Sequence, residues 1–119
     1  PWVAVVDDDA SVRRALARLL QAEGVRAVAF ATADEYLAAT RGGDAPACLV
    51  LDVHLGVASR MSGLELHDHL AAHGAGVPVV LISADEVSAA DVAQRVGAGR
   101  FLRKPVPRDA LLALVGTHD

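Results

Sequence analysis

Cysteine, lysine and long apolar runs are scarce in this sequence. Its 119 residues include a single cysteine, so a disulfide framework is excluded. That residue, Cys48, lies in an apolar run and is expected to be a small buried side chain rather than a nucleophile. A net charge of −4 without a basic stripe argues against direct nucleic-acid binding. No apolar run approaches the roughly eighteen residues of a membrane span, and no signal peptide precedes the first one, so we expect a soluble, cytoplasmic chain.

The composition indicates one folded domain. Hydrophobic residues make up 53% of the chain, which argues against disorder, and 119 residues are enough to bury a core. The sequence begins at Pro1 without a methionine, directly before an apolar run. We therefore expect residues 1–119 to form a single domain taken from a longer protein.

Five apolar segments alternate with five segments of helical periodicity. The apolar segments predict strands over Trp2–Val6, Val25–Phe30, Ala47–Leu51, Val77–Ile82 and Arg100–Leu102. The helical patterns predict helices over Ser11–Glu23, from Thr32 to about Arg41, from Ser62 to about His73, from Asp85 to about Val96, and from Pro107 onward. Thr32 to Glu35 and Ser62 to Glu65 are predicted capping boxes. The alternation predicts an α/β domain with a parallel sheet covered on both faces, whose second strand, containing Arg26, lies at an edge.

Polar side chains follow four of the five predicted strands. They are Asp7, Asp8 and Asp9 after the first strand, Asp52 after the third, Ser83 after the fourth and Lys104 after the fifth. Each has an ordinary structural explanation, because Asp9 and Ser83 are suited to cap helices, an aspartate is common in turns and a lone lysine is usually solvated. However, the C-terminal ends of parallel strands meet at one edge of a sheet, so we expect these groups to lie close together as a functional site.

Such a cluster suits phosphoryl chemistry. Neighbouring carboxylates repel one another unless a cation lies among them, and an all-oxygen site with few protein ligands favours Mg²⁺ over zinc. Mg²⁺ commonly shares its site with phosphate oxygens, which Lys104 and the hydroxyl of Ser83 are suited to bind. The central carboxylate, Asp52, is then a candidate nucleophile for in-line phosphoryl transfer.

Five short motifs occur in order along the chain: VVDDD at 5–9, LVLD at 49–52, SGLEL at 62–66, VVLISA at 79–84 and FLRKP at 101–105. With these motifs the sequence resembles the receiver domain of two-component response regulators over essentially its whole length. The resemblance implies a doubly wound, flavodoxin-like (βα)5 fold, a three-layer sandwich whose five-stranded parallel sheet has the order 2-1-3-4-5. It also implies a signalling domain of a bacterial phosphorelay rather than an enzyme.

The resemblance implies a role for each site residue. Asp52 would be the phosphoacceptor, while Ser83 and Lys104 would bind the phosphoryl group. The implied Mg²⁺ ligands are Asp7, Asp8, Asp52 and the backbone carbonyl of His54. Phe101 matches a switch aromatic and, lacking a hydroxyl, would act by packing alone. Small Ala84 would leave the site open to a donor, and with His54 and Asp85 it occupies positions that tune the lifetime of the phosphoryl group.

The resemblance also implies partners and a mechanism. A phosphohistidine on a sensor histidine kinase or a histidine phosphotransfer protein, or a small phosphodonor, would transfer its phosphoryl group to Asp52. Ser83 would then move toward the new oxygens and Phe101 would repack inward. These movements would change the face formed by the predicted fourth helix, fifth strand and last helix, which would bind a partner or form a homodimer.

The segment after Asp52 departs from the family pattern. The usual proline is missing, and the residues VASR at 57–60 precede Met61, Ser62 and Gly63, which indicates an insertion of about three residues. One interpretation is a neutral length variant, because closing a slightly longer surface loop costs only a few tenths of a kcal/mol. The other interpretation places Arg60 near the phosphoryl site or at a partner surface.

Two other functions and a second metal site are weaker hypotheses. A phosphohydrolase of the haloacid-dehalogenase type usually carries a second aspartate two residues after its nucleophile, where this chain has His54. A pseudo-receiver that is never phosphorylated would not need the full set of strand-end groups. His67, His69 and His73 suggest a metal cluster, but neighbouring positions on a helix point in different directions, so solvated surface histidines are the better interpretation.

Overall fold

The computed structural model describes residues 1–73, 76–84, 94 and 100–116. In these ranges the strands are β1 (Val3–Val6), β2 (Ala27–Phe30), β3 (Cys48–Asp52), β4 (Val79–Ser83) and β5 (Phe101–Arg103). The helices are α1 (Ala10–Ala22), α2 (Ala33–Thr40), α3 (Gly63–Ala72) and α4 (Arg108–Val115). The helix predicted from Asp85 to about Val96 lies outside the described residues, apart from Gln94. No helix in the described part of the chain is long and apolar enough to cross a membrane.

The strands form one parallel sheet in the order 2-1-3-4-5, as predicted. β1, β3 and β4 are buried along their whole length, which explains why they read as nearly continuous runs of Val, Leu and Ile. β2 pairs with β1 and has no second neighbour among the described strands, so the predicted edge position is confirmed. Its side chains are only partly buried, in keeping with the nearby Arg26.

Helices cover both faces of the sheet and produce the predicted three-layer sandwich. On one face, α1 contributes Leu16 and Leu20 and α4 contributes Leu111, all of them buried against the central strands. On the other face, α2 contributes Tyr36 and α3 contributes Leu66. Burying each leucine stabilises the fold by roughly 1.5–3 kcal/mol, so these side chains anchor the helices to the sheet.

The helix starts follow the predicted capping with one correction. At α3, Ser62 Oγ accepts a hydrogen bond from Glu65 N while the glutamate carboxylate accepts one from Ser62 N, so that capping box is complete. At α2, Thr32 caps Glu35 N at 3.1 Å, but Glu35 reaches back to the amide of Ala31 instead of that of Thr32. The capping box at α2 is therefore shifted by one residue on the glutamate side.

Three strands extend one residue further than their apolar runs predicted. β3 includes Asp52, β4 includes Ser83 and β5 ends at Arg103. The pairing register explains the extension, since Asp52 pairs with Ile82 and Ser83 pairs with Arg103. Backbone hydrogen bonding does not depend on an apolar side chain, so the ladder continues into the polar residues and holds them rigidly at the edge of the sheet.

Candidate functional site

Three carboxylates meet at the C-terminal edge of the sheet, as the order of the strands predicted. Oxygen atoms of Asp7, Asp8 and Asp52 all lie within 4.8 Å of one another. Asp7 is completely buried, Asp52 is 4% exposed and Asp8 is exposed. Asp9 does not join them, because its side chain accepts hydrogen bonds from Ser11 N and Val12 N and caps α1. The three consecutive aspartates thus divide into two site residues and one helix cap.

The ammonium group of Lys104 lies between two of these carboxylates. Its Nζ donates a hydrogen bond of 3.0 Å to Asp52 Oδ2 and forms an ion pair of 2.8 Å with Asp7 Oδ2. The backbone of the lysine is held at the sheet edge, since its N–H donates to the carbonyl of Ser83 at 3.0 Å. Removing Lys104 would leave two buried carboxylates without their cation at a cost of about 3–5 kcal/mol, so this contact ties the end of β5 to β1 and β3.

The electrostatics of the cluster leave an excess of negative charge. Burial raises the pKa of Asp52, and repulsion from Asp7 adds to that effect, while hydrogen bonds from the His54 N–H and from Lys104 oppose it. Burial alone would lower the pKa of Lys104, but its contacts with Asp7 and Asp52 outweigh burial and raise it. One ammonium group shared by two carboxylates therefore stays charged without fully neutralising them.

Asp7 is held by contacts that the sequence pattern did not reveal. Its Oδ1 accepts a hydrogen bond of 2.9 Å from Asp9 N, and its backbone carbonyl accepts one of 2.9 Å from Arg13 Nη1. Its Oδ2 is buried and has no hydrogen-bond donor in the described part of the chain besides the ion pair with Lys104. The side chain of Asp7 is thus fixed, with one oxygen still available to a cation.

The backbone around Asp52 is closely packed. Asp52 Oδ1 accepts a hydrogen bond of 3.0 Å from the N–H of His54, whose side chain is exposed. Gly63 N donates to Val53 O at 2.9 Å, and a Cβ atom at Gly63 would lie 1.9 Å from the carbonyl oxygen of Asp52. The sequence marked Gly63 as part of a capping box and of the family pattern, but it did not reveal the contact with β3, which depends on how α3 packs.

The remaining predicted site residues lie in different environments. Ser83 is fully buried at the end of β4 and directly follows Ile82, the residue that pairs with Asp52. Ala84 is exposed. Phe101 is partly buried and packs against the core cluster on the side of α2 and α3. Asp85 lies outside the described residues.

The predicted insertion is ordered and contacts α2. Ser59 is buried, and its Oγ accepts a hydrogen bond of 3.0 Å from Ala33 N and donates one of 2.7 Å to Met61 O. Arg60 N donates to Asp34 Oδ1 at 2.9 Å, and its guanidinium lies 3.6 Å from the other oxygen of that carboxylate. The guanidinium is therefore paired at the surface beside α2, and no ion pair joins it to the three clustered carboxylates. That Arg60 serves a partner surface stays a prediction.

The histidines of α3 do not assemble into a metal site. The rings of His69 and His73 lie 4.2 Å apart, and the second ring bonds the backbone carbonyl of the first. His67 is largely buried instead of solvated, with its Nδ1 3.5 Å from Asp68. Within the described ranges, the carboxylates of Asp7, Asp8 and Asp52 are the one group of three or more potential ligands close enough to share an ion.

Comparisons with known proteins agree with this geometry. Residues 3–116 match the family model described as the response regulator receiver domain. Nodulation protein W of Bradyrhizobium diazoefficiens is 38% identical to this chain, in an alignment that covers 95% of this chain and 48% of that protein. The transcriptional regulatory protein FixJ of Azorhizobium caulinodans is 37% identical, in an alignment that covers 95% of this chain and 52% of that protein. The chain thus spans about half the length of these curated relatives. The crystal structure of the receiver domain of NtrX from Brucella abortus matches with a TM-score of 0.82 and 34% identity over 97% of this chain and 96% of that one.

Proposed function

Because the chain belongs to the family of response regulator receiver domains, we propose that residues 1–119 act as one such domain and accept a phosphoryl group on Asp52. The observation that carries this proposal is the position of Asp52, a nearly buried carboxylate with Lys104 at 3.0 Å and two further acids within reach. A carboxylate so placed is a nucleophile with a cation ready for the incoming phosphoryl oxygens. The phosphoryl donor would be a sensor histidine kinase, a histidine phosphotransfer protein or a small phosphodonor.

The residues at the cluster fit a divalent cation. The donor set consists only of oxygens, and Asp7 Oδ2 is a buried carboxylate oxygen whose one contact with a donor group in the described residues is the ion pair with Lys104. Oxygen ligands with space left for water favour Mg²⁺. The proposed ligands are Asp7, Asp8, Asp52 and the backbone carbonyl of His54. When bound, Mg²⁺ would neutralise charge on the phosphoryl group during transfer.

The side chains of the site then have separate tasks. The Asp52 carboxylate attacks the phosphorus atom, so an O–P bond forms while the P–N bond of the donor phosphohistidine breaks and its electrons leave with the imidazole nitrogen. Lys104 turns from the carboxylates to the phosphoryl oxygens, where its charge stabilises the transition state. The hydroxyl of Ser83 donates a hydrogen bond to the same group.

Phosphorylation would change the surface through Ser83 and Phe101. The new oxygens draw the Ser83 hydroxyl toward Asp52, and Phe101 repacks into the space that is freed. The face formed by the helix predicted from Asp85 to about Val96, by β5 and by α4 would then bind a partner or form a homodimer, while direct nucleic-acid binding by this domain is not expected. His54, Ala84 and Asp85 would tune how quickly water hydrolyses the acyl phosphate, a loss that the domain promotes in its own site.

Phosphorylation by acetyl phosphate tests this function directly. Wild-type protein incubated with acetyl phosphate and Mg²⁺ is expected to gain the mass of one phosphoryl group, and chelation of Mg²⁺ is expected to abolish the gain. Asp52→Asn removes the nucleophile and should show no added mass. Asp44→Asn is the matched control, because Asp44 accepts a hydrogen bond from Trp2 away from the cluster and asparagine preserves that acceptor. An unmodified wild type, or an Asp52→Asn variant that still gains the mass, would favour the pseudo-receiver.

A further inference from the structure

The loop between β3 and α3, residues 53–62, is anchored at both of its ends beside Asp52. It leaves β3 with the N–H of His54 bonded to Asp52 Oδ1 at 3.0 Å. It returns at Gly63, whose N–H donates to Val53 O at 2.9 Å. Both ends of the loop therefore lie against backbone at or next to the proposed phosphoacceptor.

The middle of the loop is anchored to a different element, the first turn of α2. Ser59 Oγ accepts the hydrogen bond of Ala33 N, one of the amides that a helix start leaves without an internal partner. Arg60 N donates to the carboxylate of Asp34 in the same turn. We call these four residues, Ser59, Arg60, Ala33 and Asp34, the α2 clamp. Because Ser59 and Arg60 lie in or beside the insertion, the clamp depends on the added length of this loop.

The backbone between these attachment points passes close to Asp8, one member of the acidic cluster. Gly56 has a positive φ of 73°, and a Cβ atom there would lie 3.2 Å from Asp8 Oδ2. Only two residues separate Gly56 from Ser59, and consecutive Cα atoms are about 3.8 Å apart, so the clamp restricts how far Gly56 can move from Asp8. His54, whose carbonyl is a proposed metal ligand, lies in the same short segment between Asp52 and Ser59.

We propose that Ser59 is a positioning residue for the metal site, acting through the α2 clamp. By holding the loop on α2, it keeps the carbonyl of His54 and the Gly56 backbone in the arrangement that favours Mg²⁺ at Asp7, Asp8 and Asp52. This inference rests on the proposed function, since it assumes that the cluster binds Mg²⁺. It is an alternative to the neutral-insertion interpretation, supported by the buried serine of the inserted segment and its hydrogen bond to another helix.

Mg²⁺ binding in the absence of any phosphodonor tests the role of Ser59. Isothermal titration of Mg²⁺ into Ser59→Ala is expected to give a dissociation constant about tenfold higher than in the wild type, at the lower end of losses caused by removing groups behind metal ligands. Ser59→Thr keeps the hydroxyl and should restore most of the affinity. Hydrogen exchange at the Ala33 amide should become faster in Ser59→Ala and not in Ser59→Thr. At saturating Mg²⁺, the rate of labelling by acetyl phosphate should return to the wild-type value.

Thr32→Ala is the matched control, because it also removes a cap of α2 but leaves the clamp intact. Wild-type Mg²⁺ affinity in Thr32→Ala, together with weaker binding in Ser59→Ala, supports the proposal. Equal loss in both variants overturns it, since the stability of α2 would then be the cause, and so does wild-type affinity in Ser59→Ala. If Ser59→Ala does not fold, Asp34→Ala at the exposed side of the clamp takes its place with the same readouts. A wild type that binds no Mg²⁺ would instead refute the proposed function.

Discussion

The first residue of α3 is pressed against the residue proposed to accept the phosphoryl group. A Cβ atom on Gly63 would lie 1.9 Å from the backbone carbonyl oxygen of Asp52 and 2.7 Å from its carbonyl carbon. Because backbone cannot yield as a flexible side chain can, no residue larger than glycine fits this position without moving α3 or β3. The close approach sets the distance between α3 and the end of β3.

Gly63→Ala is therefore expected to destabilise the domain by about 3 kcal/mol. The added methyl group must push α3 away from β3, which also opens the packing of Leu66. Urea denaturation followed by Trp2 fluorescence measures the loss. Gly42→Ala is the control, because a Cβ atom at Gly42 meets no atom within 4 Å and its φ is not in the left-handed region. Equal urea midpoints for Gly63→Ala and Gly42→Ala would contradict the close approach between Gly63 and the backbone of Asp52.

Asp52→Asn is expected to stabilise the protein in Mg²⁺-free buffer at neutral pH by about 1 kcal/mol. Burial and the charge of Asp7 disfavour the ionised form of Asp52. An asparagine at this position can still accept the hydrogen bond of the His54 N–H, and the ion pair between Lys104 and Asp7 remains. The advantage should shrink or reverse when Mg²⁺ is added, since the metal binds the wild-type site more tightly. Urea denaturation midpoints of the wild type and the variant are compared in EDTA and in Mg²⁺. If the variant is less stable than the wild type in EDTA, Lys104 already compensates the negative charge of Asp52.

Stability is expected to fall in alkaline solution because of two buried groups. Burial raises the pKa of the Cys48 thiol above its ordinary 9.0 and that of the Tyr36 phenol above its ordinary 10.0. Below those ordinary values both groups are protonated in the folded and unfolded chains, so their contribution to stability is fully present. As the pH rises from about 8 to about 11, the unfolded chain releases these protons first, and the free energy of unfolding decreases.

Urea denaturation across that pH range checks the slope. The double variant Cys48→Ala, Tyr36→Phe should show a shallower decline, although some slope remains because the pKa of Lys104 is also raised. An unchanged slope in the double variant would exclude these two groups as its cause. The thiol of Cys48 should also resist alkylation until the protein is unfolded, since it is 1% exposed.

Asp9→Ala is expected to lower stability by about 1 kcal/mol while leaving phosphorylation by acetyl phosphate intact. Its side chain caps α1 through Ser11 N and Val12 N, and the hydrogen bond that it provides to Asp7 comes from its backbone. Asp8→Ala is the comparison, because Asp8 is a proposed Mg²⁺ ligand and its loss should weaken Mg²⁺ binding. Mass spectrometry after labelling and urea denaturation separate the two roles. Loss of labelling in Asp9→Ala would place that aspartate in the site.

The pattern of the sequence was sufficient for the fold class and for the side chains that meet at the edge of the sheet. Apolar runs and helical spacing are local properties, so they predicted the parallel sheet, its covering helices and the edge at which Asp7, Asp8, Asp52 and Lys104 meet. Apart from the shifted capping box at α2, whose contact between Glu35 and Ala31 is local, the errors occurred where the deciding contact was not local. Three strand ends were placed one residue early because the neighbouring strand extends the ladder, and His67 was expected to be solvated although the packing of α3 buries most of it.

The sequence by itself thus determined which chemical groups reach the edge of the sheet, because each lies at or within two residues of the end of an apolar run. Only the tertiary structure decided how those groups share their contacts. The position of Lys104 between Asp7 and Asp52, and of Ser59 on an amide 26 residues earlier in the chain, depends on strand register and on helix packing. Such distances are set by the whole fold, and no periodicity within a single segment contains them.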